Sequence, residues 1–273
     1  MATLVLEAPT SISQPTELSE RAEEKRDGGQ WLVFRYAPIA LFSLKHSRAT
    51  STVGKTLLTP TPYAVKMAFL DAALRHGLTG DPRALVRWLA RVSLRIGVPQ
   101  HACVTGTIQS IRKEIREVER RRNPGLPPYR GSIAMREFAH FLGTISLAFD
   151  LKTCPPELIA LLLQAAPAIN YLGKRGSFIQ YLSGARRSDL DPTFVRPVDG
   201  SDARPRVGGH RVALDDFGQK ASFEALNSFA PTEVRRGIHR RFIEAIVPLK
   251  VYNAGPGFVH YRAPGAMLST EPS

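Results

Sequence analysis

The sequence predicts an α+β fold, on three observations taken together. A run rich in aromatic and branched residues, from Trp31 to Leu44, has the composition of a β-strand. Two segments with apolar residues at helical spacing follow it, and then two strand-like segments flank a stretch rich in proline and glycine. One further helical segment precedes a last short strand. The resulting order, β-α-(α)-β-β-α-β, is the split βαβ arrangement of a ferredoxin-like unit.

The first strand leads into a stretch without acidic residues. Pro38 marks a kink or an edge position in that strand. From residue 28 to residue 70 the chain contains no Asp or Glu, whereas its basic residues there are Arg35, Lys45, Arg48, Lys55 and Lys66. A run of charge is usually only a solvated surface. Because acids are completely absent over this length, we consider an anion-binding surface as probable as a solvated one.

Two helices are predicted next. Thr61 is suited to cap the first helix with Pro62 in its first turn, and Gly77 is a natural end. The second is predicted over residues 81–97, with Asp81 as its cap, because apolar residues recur there at helical spacing. Arginines at positions 83, 87, 91 and 95 form a basic stripe, which we interpret as a solvated face rather than a binding surface.

A projecting basic hairpin is predicted between the two central strands. The first of these strands begins at His101, and the second covers residues 136–151. The segment between them, RRRNPGLPPYRGS at residues 120–132, begins with three arginines and contains three prolines and two glycines. Such a segment cannot join a hydrophobic core, so we expect it to project from the domain.

A basic turn flanked by glycines is predicted after the last helix. That helix has Pro156 in its first turn and runs towards the sequence YLGKRGS at residues 171–177. Glycines around Lys174 and Arg175 let the backbone approach a ligand closely, and the amides and two cations could surround a phosphate. The alternative is an ordinary helix-to-strand turn in which Gly173 is a left-handed cap.

The segment ATSTVGKT at residues 49–56 fits the P-loop pattern if the first glycine is relaxed to alanine. A P-loop needs an unbroken helix that starts at its Gly-Lys-Thr, but here prolines follow Thr56 four and six residues later. We therefore reject a nucleotide hydrolase and retain a hydroxyl-rich basic loop. Its Lys45, Arg48 and Lys55 could contact phosphate or ribose, although a surface loop without a ligand is the alternative.

Composition limits the classes of function. The net charge of +13 and the pI of about 10.2 favour a polyanionic partner such as nucleic acid. The two cysteines do not make a disulfide framework, and we find neither a signal-peptide pattern nor a run of ~20 apolar residues. We expect a cytoplasmic protein whose residues 1–30 are a flexible extension.

Metal and acid–base chemistry are both weakly supported. The only conceivable metal ligands match no zinc spacing, so we predict no metal and no cofactor. Metal-free RNA cleavage needs a base, an acid and a cation at the phosphate, and His46 lies in the basic loop with Tyr36 and Tyr63 in neighbouring segments. Because a lone loop histidine is usually a ligand contact or a bystander, we assign no catalytic residue. The rejected metal set is His101, Cys103, His140 and Cys154.

The order of these parts resembles the RAMP superfamily of CRISPR-associated proteins, and within it the CRISPR-associated protein 5 family. The segment TPTPYAVKMAFLDAAL looks like that family's first helix, and GKRGS looks like a reduced form of the superfamily's glycine-rich loop. RRRNPGLPPYRGS lies where the family carries its thumb hairpin. The likeness covers about residues 31–187, and the acidic-leaning N-terminal extension, the short glycine loop and the tail depart from the pattern.

The resemblance implies an RRM-like sheet that binds the 5′ handle of the crRNA in a Cascade-type effector. It also implies a thumb that packs against the backbone subunits, a nearby large subunit and indirect contact with target DNA. Most members are not enzymes, but in one subtype the protein cleaves precursor crRNA, and this role would fall here on His46, Lys45 and a tyrosine. We keep such an endoribonuclease as the alternative function.

These arguments predict three regions and one set of RNA-binding residues. The regions are the extension at 1–30, a ferredoxin-like domain at 31–187 with its thumb at about 112–135, and an irregular linker with a C-terminal helix and hairpin at 188–273. The predicted RNA-binding residues are Lys45, His46, Arg48, Lys55, Arg120, Arg121, Arg122, Arg130, Lys174, Arg175, Arg186 and Arg187.

Overall fold

The computed structural model of the protein describes residues 31–45, 53–198, 208–227, 235 and 237–266. The α-helices of this part are α1 (Pro62–Arg75), α2 (Pro82–Arg91), α3 (Glu117–Arg122), α4 (Pro156–Ala165) and α5 (Phe223–Leu226). The strands are β1 (Trp31–Pro38), β2 (Val53–Gly54), β3 (Leu94–Gly97), β4 (His101–Glu114), β5 (Tyr129–Leu142), β6 (Ile145–Asp150), β7 (Ile179–Arg187), β8 (Arg196–Pro197), β9 (His210–Phe217), β10 (Arg240–Val247), β11 (Lys250–Gly255) and β12 (Phe258–Arg262).

The first sheet confirms the predicted α+β, ferredoxin-like architecture. Its strand order is β3-β6-β1-β7, and every neighbouring pair is antiparallel. Along the chain these strands and their helices follow the order β1, α1 and α2, β3, β6, α4, β7. This is the split βαβ order, with α2 as the extra helix.

Aromatic side chains join the helices to this sheet. The Phe34 ring on β1 lies 5.7 Å from the Phe69 ring on α1 and 6.1 Å from the Phe149 ring on β6, measured between ring centroids. Tyr36 is also fully buried, and its hydroxyl donates to the Ala166 carbonyl at 2.9 Å. Large rings at alternate positions of β1 therefore fill the space under the helices.

Two predicted boundaries were wrong, and both corrections change the topology around the hairpin. The helix predicted over residues 81–97 ends at Arg91, because Leu94 and Ile96 face the core as an extended strand that pairs with β6. The strand predicted over residues 136–151 is divided by Gly143, whose φ of 102° is a left-handed conformation suited to glycine. The central β–β unit is therefore β3 and β6, and the whole of β4–β5 is inserted between them.

The inserted hairpin is long and projects as predicted. Strands β4 and β5 pair continuously from His101 opposite Leu142 to Glu114 opposite Tyr129. Fourteen residues of antiparallel strand extend over about 45 Å. Helix α3 lies in the connection at the tip and overlaps the start of the segment predicted to project.

The chain after β7 builds two further pieces of sheet from its described residues. Strands β8, β10 and β9 form a three-stranded antiparallel sheet, and α5 follows β9. The C-terminal hairpin β11–β12 pairs through β12 with β4, which makes a five-stranded sheet of order β11-β12-β4-β5-β2. We predicted an irregular linker, one helix and one hairpin for this region, whereas its described residues are mainly strands, with the four-residue helix α5 and the hairpin β11–β12.

Strand β9 is attached to helix α1 by a buried ion pair. The Lys66 ammonium lies 2.8 Å from a carboxylate oxygen of Asp216, and the two side chains are 1% and 7% exposed. Arg241 on β10 contacts the other Asp216 oxygen at 3.1 Å. Lys66 is thus one basic residue of the acid-free stretch that does not belong to any binding surface. Its burial lowers the pKa of the ammonium group, which the Asp216 charge opposes.

The basic stripe of α2 is a solvated face, as interpreted from the sequence. Arg83 pairs with Glu224, and Arg87 lies 3.7 Å from Asp81, in both cases at the exposed surface. The fourth arginine of the stripe, Arg95, lies on β3 and not on the helix.

In the described part of the chain, no helix combines the length and the apolar character that a membrane span requires.

Candidate nucleic-acid interface

The basic loop after β1 is anchored to the hairpin at both of its ends. Phe42 and Ala139 of β5 exchange two backbone hydrogen bonds, at 2.8 and 2.7 Å. Further along, the Thr56 amide donates to a carboxylate oxygen of Glu137 at 2.9 Å, and the Thr56 hydroxyl accepts from the Leu44 amide at 3.0 Å. These bonds hold the start and the end of the loop side by side on the edge of β5.

Lys45 and Lys55 are exposed at the two anchored ends of this loop. Lys45 forms an isolated bridge with Thr56, so the two lysines lie at neighbouring backbone positions. Two further predicted residues, His46 and Arg48, lie outside the described residues. The Gly-Lys-Thr sequence does not start a helix, since Gly54 belongs to strand β2 and α1 begins only at Pro62. Residues 54–61 therefore do not form the helix that a P-loop requires after its Gly-Lys-Thr.

Lys174 and Arg175 lie at the tip of a tight turn with two left-handed glycines. Gly173 and Gly176 have φ angles of 75° and 99°. The Ser177 amide donates to the Lys174 carbonyl at 3.0 Å, which closes the turn and leaves both basic side chains exposed. Helix α4 ends at Ala165, so Gly173 is not its cap. The turn is therefore separate from the end of α4 and lies between that helix and β7.

The glycine turn packs against the start of the basic loop. A Cβ atom at Gly173 would lie 3.2 Å from a methyl carbon of Leu44 and 3.6 Å from the Cβ of Ala64. Leu44 precedes Lys45 in the chain, and Ala64 lies in the first turn of α1. Glycine therefore permits a close approach that brings the turn next to the loop.

Four predicted residues are thus brought into one region, which we call the basic cluster. All four side chains are exposed, and within the described ranges none of them has a salt bridge to a carboxylate. The first turn of α1 beside the cluster contains no acidic residue. Unpaired cations beside the positive end of a helix favour an anionic ligand. The basic cluster consists of Lys45, Lys55, Lys174 and Arg175.

The arginines of the hairpin tip do not belong to this cluster. Arg121 pairs with Glu117 at 2.5 Å, and Arg130 pairs with Glu119 at 3.0 Å, so half of the predicted tip arginines are matched by acids. Arg120 and Arg122 are exposed. The tip is separated from the loop anchor by about 25 Å of strand β5. A ligand of the cluster can therefore reach the tip only if it is extended.

Arg186 and Arg187 lie at the opposite end of β7 from the glycine turn. They pair with Leu32 and Trp31 at the start of β1, and the nine residues of β7 span about 30 Å. Both side chains are exposed. The structure therefore separates them from the basic cluster.

The open face of the ferredoxin-like sheet is partly covered. Phe194 packs on Val33 and Ala148, and Trp31 and Leu190 lie against the same group. An RRM-like sheet presents exposed aromatic rings on this face for stacking with bases. Here the centre of the face is occupied by the chain that follows β7, so base stacking would have to take place elsewhere.

The tyrosines considered for catalysis have structural roles. Burial raises the pKa of the Tyr36 hydroxyl far above its ordinary value, and this group is already engaged with a backbone carbonyl. Burial also raises the pKa of Tyr63, whose ring lies under the Arg240 guanidinium at 4.3 Å. Neither hydroxyl is suited to accept a proton near neutral pH. Cys154 is a buried thiol whose pKa burial raises to about 12.

The histidines come together in a way that the sequence did not indicate. His260 on β12 lies opposite Cys103 on β4, which in turn lies opposite His140 on β5. The Nδ1 atom of His101 lies 3.1 Å from the Nε2 atom of His260, a hydrogen-bond distance at which the tautomers decide which ring donates. Among the described residues, no group of three potential ligands is placed to hold a metal ion. His260 was missed because the pairing of β12 with β4 cannot be read from either segment alone.

This histidine pair predicts a loss of stability in acid. Burial, with His101 and Arg262 nearby, lowers the pKa of His260 below its ordinary value of 6.5. The unfolded chain therefore binds more protons than the folded chain as the pH falls through about 6.5, and the free energy of unfolding decreases. We expect urea unfolding midpoints to fall between neutral pH and about pH 5, and to fall less in His260→Gln. An equal pH dependence in that variant would contradict the assignment.

Comparisons with known proteins give likeness to solved structures but no match by sequence. No protein-family model matches the sequence, and no curated protein matches it either. The chain is similar to a crystal structure of a CRISPR protein from Archaeoglobus fulgidus, with 10% identity and a TM-score of 0.43. The match covers 86% of this chain and 92% of that one. Similarity at this TM-score does not establish a common fold or function, so the proposals below rest on the geometry of the chain itself.

Proposed function

We propose that the protein is a non-catalytic, RNA-binding subunit of a CRISPR effector complex, and that it holds the 5′ handle of the crRNA. The observation that carries this proposal is the contact of Gly173 with Leu44 and Ala64, because it gathers the basic cluster. Exposed cations without carboxylate partners are the usual means of holding a phosphate backbone.

Three further features support this assignment. The ferredoxin-like topology and the long inserted hairpin fit the parts by which the sequence resembles the CRISPR-associated protein 5 family. The net charge of +13 suits a polyanionic ligand. Tyr36 is buried and Tyr63 is half-buried, and the raised pKa of each hydroxyl favours holding RNA over cutting it, so incubation with repeat RNA in EDTA should give no cleavage products.

The test is RNA binding by the double variant Lys174→Ala/Arg175→Ala, measured by fluorescence anisotropy over a series of salt concentrations. Each lost phosphate contact on a single strand reduces the slope of log K against log salt by about 0.7, so the double variant should lose about 1.4. We also expect roughly tenfold weaker binding at moderate salt.

A matched control separates a specific site from general charge. Lys152→Ala/Lys220→Ala removes two exposed cations that do not belong to the cluster. It should leave the slope nearly unchanged. If both double variants reduce the slope equally, or if neither does, the basic cluster is not the RNA-binding site.

A further inference from the structure

One face of the five-stranded sheet carries aromatic and histidine side chains in register. Residues that are directly paired across antiparallel strands point to the same side of the sheet. Every second row of paired residues across β12, β4 and β5 therefore points to the same side of the sheet. Three such rows define the side that we call the aromatic–histidine face. The rows are Phe258–Thr105–Phe138, His260–Cys103–His140 and Arg262–His101–Leu142.

This face is accessible and carries no acid. Thr105 and His140 are exposed, and Phe138, Phe258 and His260 are half-buried. None of the nine residues in the three rows is Asp or Glu. The next pair along the hairpin, Thr107 opposite Arg136, adds a further cation on the same side. The face thus combines half-buried rings and the exposed His140 ring with charged side chains that are all basic.

Glycine allows one ring to lie across the sheet surface. Gly255 on β11 is paired with Phe258, and a Cβ atom at position 255 would lie 2.7 Å from a carbon of the Phe258 ring. The ring therefore covers the glycine backbone, in the manner of an aromatic residue paired across strands with glycine. A ring held in this way presents a flat surface to solvent.

A cavity adjoins the same face at the C-terminal hairpin. The Arg262 guanidinium lies 4.4 Å from the centre of the Tyr252 ring, and the Tyr252 ring lies 5.2 Å from His260. Tyr252 is 47% exposed. The cavity has a volume of about 470 Å³ and is lined by Lys250, Val251, Tyr252 and residues 262–266. This volume lies in the range of small-ligand sites, which is about 300–1,000 Å³.

We propose that the aromatic–histidine face and this cavity bind a segment of single-stranded RNA, independently of the basic cluster. Bases would stack on Tyr252 and Phe258, and phosphates would pair with Lys250 and Arg262. Stacking platforms flanked by cations are the common solution for single strands, because every base has a flat face. The absence of carboxylates on the face favours a nucleic acid over a basic protein segment.

The proposal extends the proposed function to a second part of the RNA, and it rests on RNA being the ligand. The two surfaces share strand β5. The basic loop is bonded to β5 at Ala139 and Glu137, and the neighbouring residues Phe138 and His140 belong to the face.

The experiment compares two exposed tyrosines for binding to a short oligouridine by fluorescence anisotropy. Tyr252→Ala should weaken binding by about tenfold, because it removes the ring on which one base stacks. The salt slope should not change, since no charge is removed. The matched control is Tyr129→Ala, which removes a 55% exposed tyrosine at the hairpin tip and should bind as the unaltered protein does.

Further measurements separate this proposal from the first. Phe258→Leu keeps an apolar side chain but removes the ring, and it should also weaken binding without changing the melting temperature greatly. If Tyr252→Ala weakens binding but Lys174→Ala/Arg175→Ala does not, the face is supported and the basic cluster is not. If Tyr252→Ala and Phe258→Leu both bind normally, or if Tyr129→Ala is equally weakened, the face is not an RNA-binding surface.

Discussion

Replacing Asp216 with alanine is expected to lower the free energy of unfolding by about 3–5 kcal/mol, because it leaves a buried ammonium without its partner. Lys66 is 1% exposed and cannot turn towards water without moving helix α1. The replacement also removes the acceptor of the Phe217 amide, which donates to Asp216 at 2.8 Å. Arg241 is affected less, since its side chain is 45% exposed.

Thermal and urea unfolding measure this loss, which corresponds to a fall in Tm of roughly 10 °C for a chain of this size. The matched control is Glu244→Ala, which breaks an exposed pair with Arg211 and should cost less than about 1 kcal/mol. The double variant Lys66→Met/Asp216→Ala should recover part of the loss, because it removes the uncompensated charge. Equal stability of Asp216→Ala and Glu244→Ala would show that the buried pair does not attach β9 to α1.

Replacing Phe42 with alanine is expected to cost about 3–5 kcal/mol and to loosen the basic loop. The Phe42 side chain is fully buried, and its ring lies 4.9 Å from the ring of Phe141 at the base of the hairpin. Its backbone exchanges two hydrogen bonds with Ala139. Since Lys45 follows three residues later, loss of this anchor should weaken RNA binding as well as stability.

Hydrogen exchange tests the local part of this expectation. The amides of Phe42 and Ala139 should exchange faster in the variant, whereas the amides in the centre of β1 should change less. The control is Leu41→Ala, at a neighbouring residue that is 54% exposed and should change stability by no more than about 0.5 kcal/mol. Unchanged exchange at Ala139 in Phe42→Ala would mean that the ring does not hold the loop on the hairpin.

Local chemistry was sufficient to predict the starts of α1, α2 and α4, but not which strands form the core sheet. Thr61 caps α1 and Asp81 caps α2 through hydrogen bonds to nearby amides, as the sequence indicated. Strand β3 was missed because Ile96 continues the helical spacing from Val92 and also alternates with Leu94, so the short run fits both patterns. Pairing with β6 makes this segment a strand and not the end of a helix, and residues near Leu94 in the sequence do not reveal this pairing.

The same limit applies to the candidate site. The exposure of Lys174 and Arg175 followed from the glycines around them, but their position beside Lys45 depends on packing between distant segments. The neutralisation of Arg121 was open to prediction, because Glu117 precedes it by four residues on a helix. The burial of Lys66 was not, since Asp216 lies far along the chain.

The five-stranded sheet has a consequence for the synthesis of the chain. The ferredoxin-like core is complete once residue 187 has left the ribosome, whereas β4 receives its neighbour β12 only after residue 262 has been made. Until then the part of β4 that later pairs with β12, from His101 to Thr105, has an unpaired edge that can pair with other chains. A chain that stopped before Lys250 would keep that edge permanently, so premature termination near the C-terminus should produce aggregation rather than a slightly shorter protein.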